Sequence, residues 1–398
     1  MLERDGTGNA AFKKVKLEEN SKELRYSFKP GLLTLSDDVL LIIFFHLDPI
    51  DLLSLSECSQ RLANICCDKT LWERVDLRPH RMSHNTIMKC LQFLQASTKF
   101  LATQGFTSRK NSVYNPTISK SFLKTVSRNA PNLKTLILEN HIIDSSKLIL
   151  EDFPASLEHL GIRNCVMTNL PGDRSYFLKL NKTLPKLKIL DLTGNDWFPP
   201  HSLLALSKSP SLEELILTGC DVRDALPYAS LAANFGFSSL KALDLRNTNI
   251  SDIEVTCFNR MSTLRHLYLC GSDNNQIDES LNIDTSVTDY SIVTFGGGPG
   301  DGARMAAHGF GGAGPNAVGA EVIILQVGSF QRTPCKLETL VIRNYPGITD
   351  LTLKHAASFM KSLKFIDVTG SGCSEAGILD FKNARPEVRI QPDIISKV

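Results

Sequence analysis

One run of this sequence has the spacing that cradles a dinucleotide. Gly309-Phe310-Gly311-Gly312-Ala313-Gly314 satisfies G-x-G-x-x-G, in which glycines let the backbone approach a pyrophosphate. That chemistry needs a strand before the run and a helix after it. Arg304 to His308 is no hydrophobic strand and Pro315-Asn316 starts no helix, so the run reads as a linker. Ten cysteines could ligate zinc or exchange disulfides, but the sequence holds no Cys-x-x-Cys pair, from which zinc ribbons and thioredoxin-like sites start. The histidines are scattered, and His159 and His266 neighbour aliphatic residues rather than a candidate nucleophile. G-x-S-x-G, H-E-x-x-H and the P-loop are all missing from the sequence. The expectation is a non-enzymatic chain with no catalytic residues, cofactor or metal.

The elements that would carry any site are set by a cadence: Leu, two residues, an aliphatic, one residue, an aliphatic. It runs through Leu133/Leu136/Leu138, Leu157/Leu160/Ile162, Leu187/Leu190/Leu192 and Leu212/Leu215/Leu217. It continues at Leu240/Leu243/Leu245, Leu264/Leu267/Leu269, Leu337/Leu340/Ile342 and Leu363/Ile366/Val368. Steps between first leucines are 24, 30, 25, 28, 24, 73 and 26. Cys165, Asn195 and Cys220 occupy the slot where leucine-rich repeats use Asn or Cys to bond turn backbone. One such repeat cannot bury its apolar face alone and must stack on its neighbours. The expected product is an irregular leucine-rich-repeat horseshoe solenoid over residues 77–398, with a Gly-rich insertion at about 273–333. Trp72, Val75 and Leu77, then Thr98, Leu101 and Thr103, read as eroded leading repeats. Ser119 to Ala130 reads as a helix on the outer side. Glycine loses the most backbone freedom on ordering, so Gly296 to Gly319 is expected to loop out and move.

The formal charge is +2, and without a basic field no nucleic-acid partner is expected. The longest apolar run, Val39 to Phe45, is far below the roughly 20 residues that span a bilayer, so no membrane is expected. Cys165 and Cys220 fit the repeat template as buried thiols, and the start of the chain lacks a signal-peptide pattern. A cytoplasmic or nuclear location is expected. Residues 1–30 mix charges with few aliphatics and read as a disordered lead.

Residues 31–76 form a third region. Ser36 can cap a helix whose first turn holds Asp37 and Asp38. Val39, Leu40, Ile43, Phe44 and Leu47 follow at helical spacing, yet Leu41, Ile42 and Phe45 are apolar too, so the helix is greasy nearly all round. Pro49 starts a second helix containing Leu52 and Leu55, and a third runs from about Arg61 to Cys67. So small a block with so much apolar surface packs on the solenoid or shares its surface with a partner chain.

Leu35-Ser36-Asp37-Asp38-Val39-Leu40, then Ile43-Phe44, Leu47, Asp51-Leu52, Cys58, Arg61, Asp68 and Leu71-Trp72 closely resemble an F-box. With the repeats behind it, the chain resembles the F-box/leucine-rich-repeat family. The fold class is then α/β: a small three-helix F-box followed by a leucine-rich-repeat horseshoe. The resemblance implies a substrate-recognition subunit of an SCF-type (Skp1-cullin-F-box) ubiquitin ligase. Skp1 would bind Leu35, Val39, Leu40, Ile43, Phe44, Leu47, Leu52, Leu55, Leu71 and Trp72 and link the chain to a cullin-RING ligase. The repeats would hold a protein substrate for ubiquitination. Three positions depart from the family: Ser36 replaces a proline, Glu57 an apolar residue and Leu62 a tryptophan. Glu57 supports the alternative, a repeat scaffold that works without Skp1 or cullin.

In each repeat strand, side chains alternate between core and surface. The second and third aliphatics point inward, and the residues before, between and after them face the concave surface. The mixture of aliphatic, aromatic and arginine side chains expected there suits an interface. The candidates for contact with a protein substrate are Ile137, His159, Arg163, Ile189, Ile216, Arg246, Tyr268, Val341, Arg343 and Phe365.

Overall fold

The computed structural model describes residues 31–392, apart from 81, 106–115, 173, 223, 272–286 and 297–334. The lead 1–30, the glycine motif at 309–314 and nearly all of the tract 296–319 lie outside the described residues. The chain divides into two units after Leu71. The sequence placed the boundary after Asp76. It falls earlier because Arg74–Asp76 is already a strand of the repeat sheet.

The first unit holds three helices, α1 (Asp37–Phe44), α2 (Pro49–Ser56) and α3 (Gln60–Cys66). Ser36 takes the N-cap position of α1, but its hydroxyl makes no capping bond. A charge-assisted clamp stands there instead. Arg61 of α3 donates to Asp37 Oδ1 at 2.6 and 3.0 Å and to the carbonyls of Leu33 at 2.5 Å and Leu35 at 2.7 Å. One guanidinium thus ties the segment before α1 to the last helix. Pro49 opens α2 as expected, and Ser59 caps α3 by accepting from the Leu62 amide at 3.3 Å.

In the second unit the strands are β1 (Arg74–Asp76), β2 (Phe100–Gln104), β3 (Thr135–Glu139), β4 (Ile142–Asp144), β5 (His159–Arg163) and β6 (Val166–Thr168). Then come β7 (Ile189–Asp191), β8 (Glu214–Ile216), β9 (Ala242–Arg246), β10 (His266–Cys270), β11 (Thr339–Arg343), β12 (Phe365–Asp367) and β13 (Arg389–Gln391). Eleven form one parallel sheet in the order β1-β2-β3-β5-β7-β8-β9-β10-β11-β12-β13, and β4 pairs with β6 apart from it. The leucines of the cadence are the core, with Leu136, Leu160, Leu190, Leu215, Leu267, Leu340 and Ile366 all 0 % exposed. The eroded leading repeats are real, with Val75 and Leu101 inward on β1 and β2. Trp72, assigned to the adaptor face from its sequence, is instead buried in this unit and stacks on Phe93 at 4.8 Å.

After each strand the chain must turn sharply. Asn140, Asn164, Gly194, Gly219, Asn247, Asn344 and Gly370 all take positive φ there, the region open to Gly and tolerated by Asn. The next slot bonds the turns of adjacent repeats. Buried Asn195 donates to the carbonyls of Ile162 at 2.6 Å and Leu192 at 2.8 Å, and accepts from the Cys165 amide at 2.9 Å. Cys220 donates its thiol to the Leu192 carbonyl at 3.1 Å. The helix read from Ser119 to Ala130 spans Lys120–Asn129 and buries Phe122, Leu123 and Val126. His141 is buried and bonded at both ring nitrogens, to Thr103 Oγ1 at 3.0 Å and Thr117 Oγ1 at 2.9 Å. Burial pushes its pKa down to about 4.

Two features were not read from the sequence. The first is β13: Val388 and Ile390 are buried where the cadence is one residue short. The second lies inside the supposed insertion. The short helix Asp289–Ile292 packs there, with Val287 and Ile292 fully buried and Phe295 nearly so. It belongs to a relay of helix starts. Thr288 bonds Asp252 through its amide (2.7 Å) and hydroxyl (2.5 Å); Thr349 does the same to Asp289 (2.9 and 2.6 Å), and Ser374 to Asp350 (2.8 and 2.7 Å). Meanwhile β10 pairs directly with β11 over five residues, so the long step adds no strand between them.

Candidate functional site

Two surfaces answer to the sequence-derived sites, one in each unit. In the first unit, α1 buries Leu40 and Phe44, one turn apart, half-buries Leu41 and leaves its other apolar side chains outside. Val39, Ile42 and Ile43 are exposed, Phe45 follows at 67 %, and Leu32 and Leu33 add to the same stretch of chain. Exposed apolar surface of this density marks an interaction site. Of the residues named for the adaptor, Val39 and Ile43 are exposed and Leu35, Leu47, Leu55 and Leu71 are half-buried. Leu40, Phe44 and Leu52 are buried; they shape the helices rather than offering contact area. Ile42 and Phe45 were not among the candidates. Their signal was visible as apolar residues off the helical stripe. Glu57 is exposed at the end of α2.

In the second unit, the outward face of the sheet is a set of rows in strict register. The row between the core aliphatics runs Ile137, Gly161, Asp191, Ile216, Asp244, Tyr268, Val341, Asp367. It is more recessed than expected. Ile137 and Val341, named as contact residues, are buried. Ile137 leans over Gly161, where an added Cβ would meet Ile137 Cγ2 at 3.3 Å. Val341 stands between Tyr268 and Asp367 on its two neighbouring strands.

The aspartates of this row are buried and spoken for. Arg163 donates to Asp191 at 2.6 and 2.7 Å, Arg246 to Asp244 at 2.6 and 3.0 Å, and Arg343 Nε to Asp367 at 2.7 Å. The same carboxylates accept backbone amides two residues on, from Thr193, Arg246 and Thr369 at 3.0–3.1 Å. Burial pushes the Asp367 carboxyl up, but the bonds from Arg343 and Thr369 outweigh it and hold the group low. Arg163, Arg246 and Arg343 therefore reach solvent with one partner already in place. Arg246 and Arg343 keep 44 % of their side chains exposed. The row before the core aliphatics holds His159, Ile189, Glu214, Ala242, His266, Thr339 and Phe365 in register. His159, Ile189, Ile216, Tyr268 and Phe365 are half-buried. His159 Nε2 and His266 Nδ1 are buried atoms without a hydrogen-bond partner.

Among the described residues, no group of three or more His, Cys, Asp or Glu side chains could hold a metal ion, and no helix is long and apolar enough to cross a membrane.

Residues 32–74 match the F-box domain family. The chain has no significant match among curated proteins. Among solved structures it is similar to a chain of the Rad7 and Elc1 complex of yeast, at 16% identity over 97% of this chain and 80% of that one, with a TM-score of 0.45. An internalin from Listeria monocytogenes is similar at 11% identity, over 78% of this chain and 71% of that one, with a TM-score of 0.42. A chain of the TLR13–ssRNA13 complex is similar at 14% identity, over 81% of this chain and 33% of that one, with a TM-score of 0.35.

Proposed function

We propose that this chain is a substrate receptor of an SCF-type ubiquitin ligase. In this reading α1 and the turn before it bind a Skp1-type adaptor, and through it a cullin-RING ligase. The observation that carries it is the solvent-facing apolar row Leu32, Leu33, Val39, Ile42, Ile43 and Phe45, within the segment that matches the F-box domain. The outward sheet face, with its half-buried aromatic and aliphatic side chains and its three arginines, would hold the protein substrate. Ubiquitin transfer would be done by other subunits. This chain would contribute positioning, which raises the effective concentration of substrate lysines near the transferring enzyme. The segment Leu71 to Arg78 further resembles F-box/LRR-repeat protein 12, and we place the chain beside that protein within the family. None of the ten cysteines is joined in a disulfide, which supports a cytoplasmic or nuclear setting.

Co-purification with Skp1 tests the adaptor half. Wild type should bind, and the double variant Ile42→Glu/Phe45→Glu should lose at least a hundredfold in affinity. Tight, stoichiometric Skp1 binding by a chain lacking residues 31–71 would overturn the proposal. Exposed Glu57 keeps the adaptor-independent scaffold as the second reading. That reading wins if wild type fails to bind Skp1 while Glu57→Val binds.

A further inference from the structure

We propose that the sheet face of the repeat unit receives a lysine or arginine side chain from its protein partner, in a slot over Ala242 with Glu214 as the pairing carboxylate. The inference deepens the substrate half of the function above and rests on the sheet face being the partner-binding surface.

The three rows of the face carry arginines at 74, 78, 163, 246, 343 and 389 and carboxylates at 76, 139, 191, 214, 244 and 367. Asp76 and Glu139 pair with Arg78, Asp191 with Arg163, Asp244 with Arg246 and Asp367 with Arg343. Arg74 and Arg389 lie over the rings of Phe100 and Phe365. Among the described residues of the face, Glu214 alone is a carboxylate with neither a hydrogen bond nor an ion pair. It is half-buried. Burial raises its pKa, the nearby carboxylates Asp191 and Asp244 raise it further, and His266 across the slot offsets this only in part. A half-buried acid held this way gains from any cation brought beside it, because the cation offsets both the desolvation and the repulsion.

Geometry supplies the room. Glu214 and His266 are both register partners of Ala242, one on each neighbouring strand. Two strand spacings separate their backbones, about 10 Å, and the residue between them in register is Ala242, whose side chain is a methyl group. Asp244, two residues on from Ala242, closes one end with its own arginine already bound. Arg246 is held by Asp244 and lies 5.7 Å from the Tyr268 ring. Half-buried Ile216 and Tyr268 flank the slot and offer apolar surface for the aliphatic stem of a lysine or arginine. Around the slot Asp191 and Asp244 each hold their own arginine, so Glu214 is the one unmatched negative charge there. That is complementary to one inserted cation, and not to an acidic or phosphorylated side chain.

Because the partner is unidentified, the probe is a displayed library of random 12-residue peptides, panned on the full chain. Wild type should enrich peptides with Lys or Arg at one fixed position. Glu214→Gln should bind a synthetic enriched peptide at least tenfold more weakly, and Glu214→Lys should shift the enrichment to Asp or Glu. Replacing the consensus Lys by acetyl-lysine, or the Arg by citrulline, should cost the same factor. Thermal melts guard against misfolding: Glu214→Gln removes no bond and should melt at or above wild type. Enrichment of peptides without a basic consensus, no enrichment at all, or equal binding by Glu214→Gln overturns the inference. Skp1 binding is read in parallel on the same variants and should not change. If Skp1 fails to bind while the basic consensus holds, the ligase reading falls and the slot stands.

Discussion

The helical unit and the repeat unit treat their surfaces in opposite ways. In the first, the polar contacts gather in a solvent-accessible clamp at Arg61, and large apolar side chains are left in water. In the second, the cadence leucines are inside and the outward carboxylates are almost all paired, while apolar side chains such as Phe235 stay exposed one by one on its helices. The difference teaches where a partner is required and where it is only accepted. Exposed Ile42 and Phe45 gain by being covered whatever covers them. The sheet face can discriminate, because a wrong charge there meets groups that already have partners.

The largest effect is expected in the repeat core. Leu192→Ala and Leu245→Ala, each at a position no more than 2 % exposed, should cost about 2–5 kcal/mol, read from denaturant melts. Loss of under 1 kcal/mol would mean the inward rows are not what holds this unit. His141 comes next. Its folded pKa, about 4, is depressed below the unfolded value of 6.5, so protonation favours the unfolded chain. Its contribution is present above pH 6.5 and is lost as pH falls, with a full penalty on the order of 3 kcal/mol. Between pH 6.5 and 5 most carboxylates stay ionised. Stability should therefore decline there in wild type and stay flatter in His141→Gln. Asn195→Ala removes a side chain that bonds three backbone groups and should cost about 1–3 kcal/mol, with the Cys165 amide losing hydrogen-exchange protection first. The smallest effect sharpens the contrast. Ile42→Glu should change stability by less than about 0.5 kcal/mol while abolishing adaptor binding, a separation that no core leucine can show.

Much of the fold was legible because one constraint, a strand every repeat with two inward aliphatics, is written many times. The places that were not legible broke that constraint locally. In β13 the first and second inward residues are two apart rather than three, so Val388 and Ile390 do not match the template. Helix Asp289–Ile292 is short and sits in a long step, though Thr288-Asp289 and the apolar Val287, Ile292 and Phe295 were its signal. For the sheet face, alternation alone gave the right side of the strand but not depth. Neighbouring strands stand close enough that Ile137 and Val341 are walled in by the rows around them. On α1, the helical stripe named buried Leu40 and Phe44 together with exposed Val39 and Ile43, and it left out Ile42 and Phe45, which are exposed as well.

The relay of helix starts has a mechanical consequence. Asp252, Asp289 and Asp350 each sit at the beginning of one helix and cap the beginning of the next. Opening any of these repeats therefore uncaps its successor as well as exposing its own core. In a one-dimensional stack, where stability is a sum of intrinsic and nearest-neighbour terms, such links enlarge the coupling between neighbours at the expense of independent fraying. The stretch from Ser251 to Ser374 should then yield to force or denaturant as one block, in a single step rather than repeat by repeat. Direct pairing of β10 with β11 keeps that block continuous across the long step in the sequence.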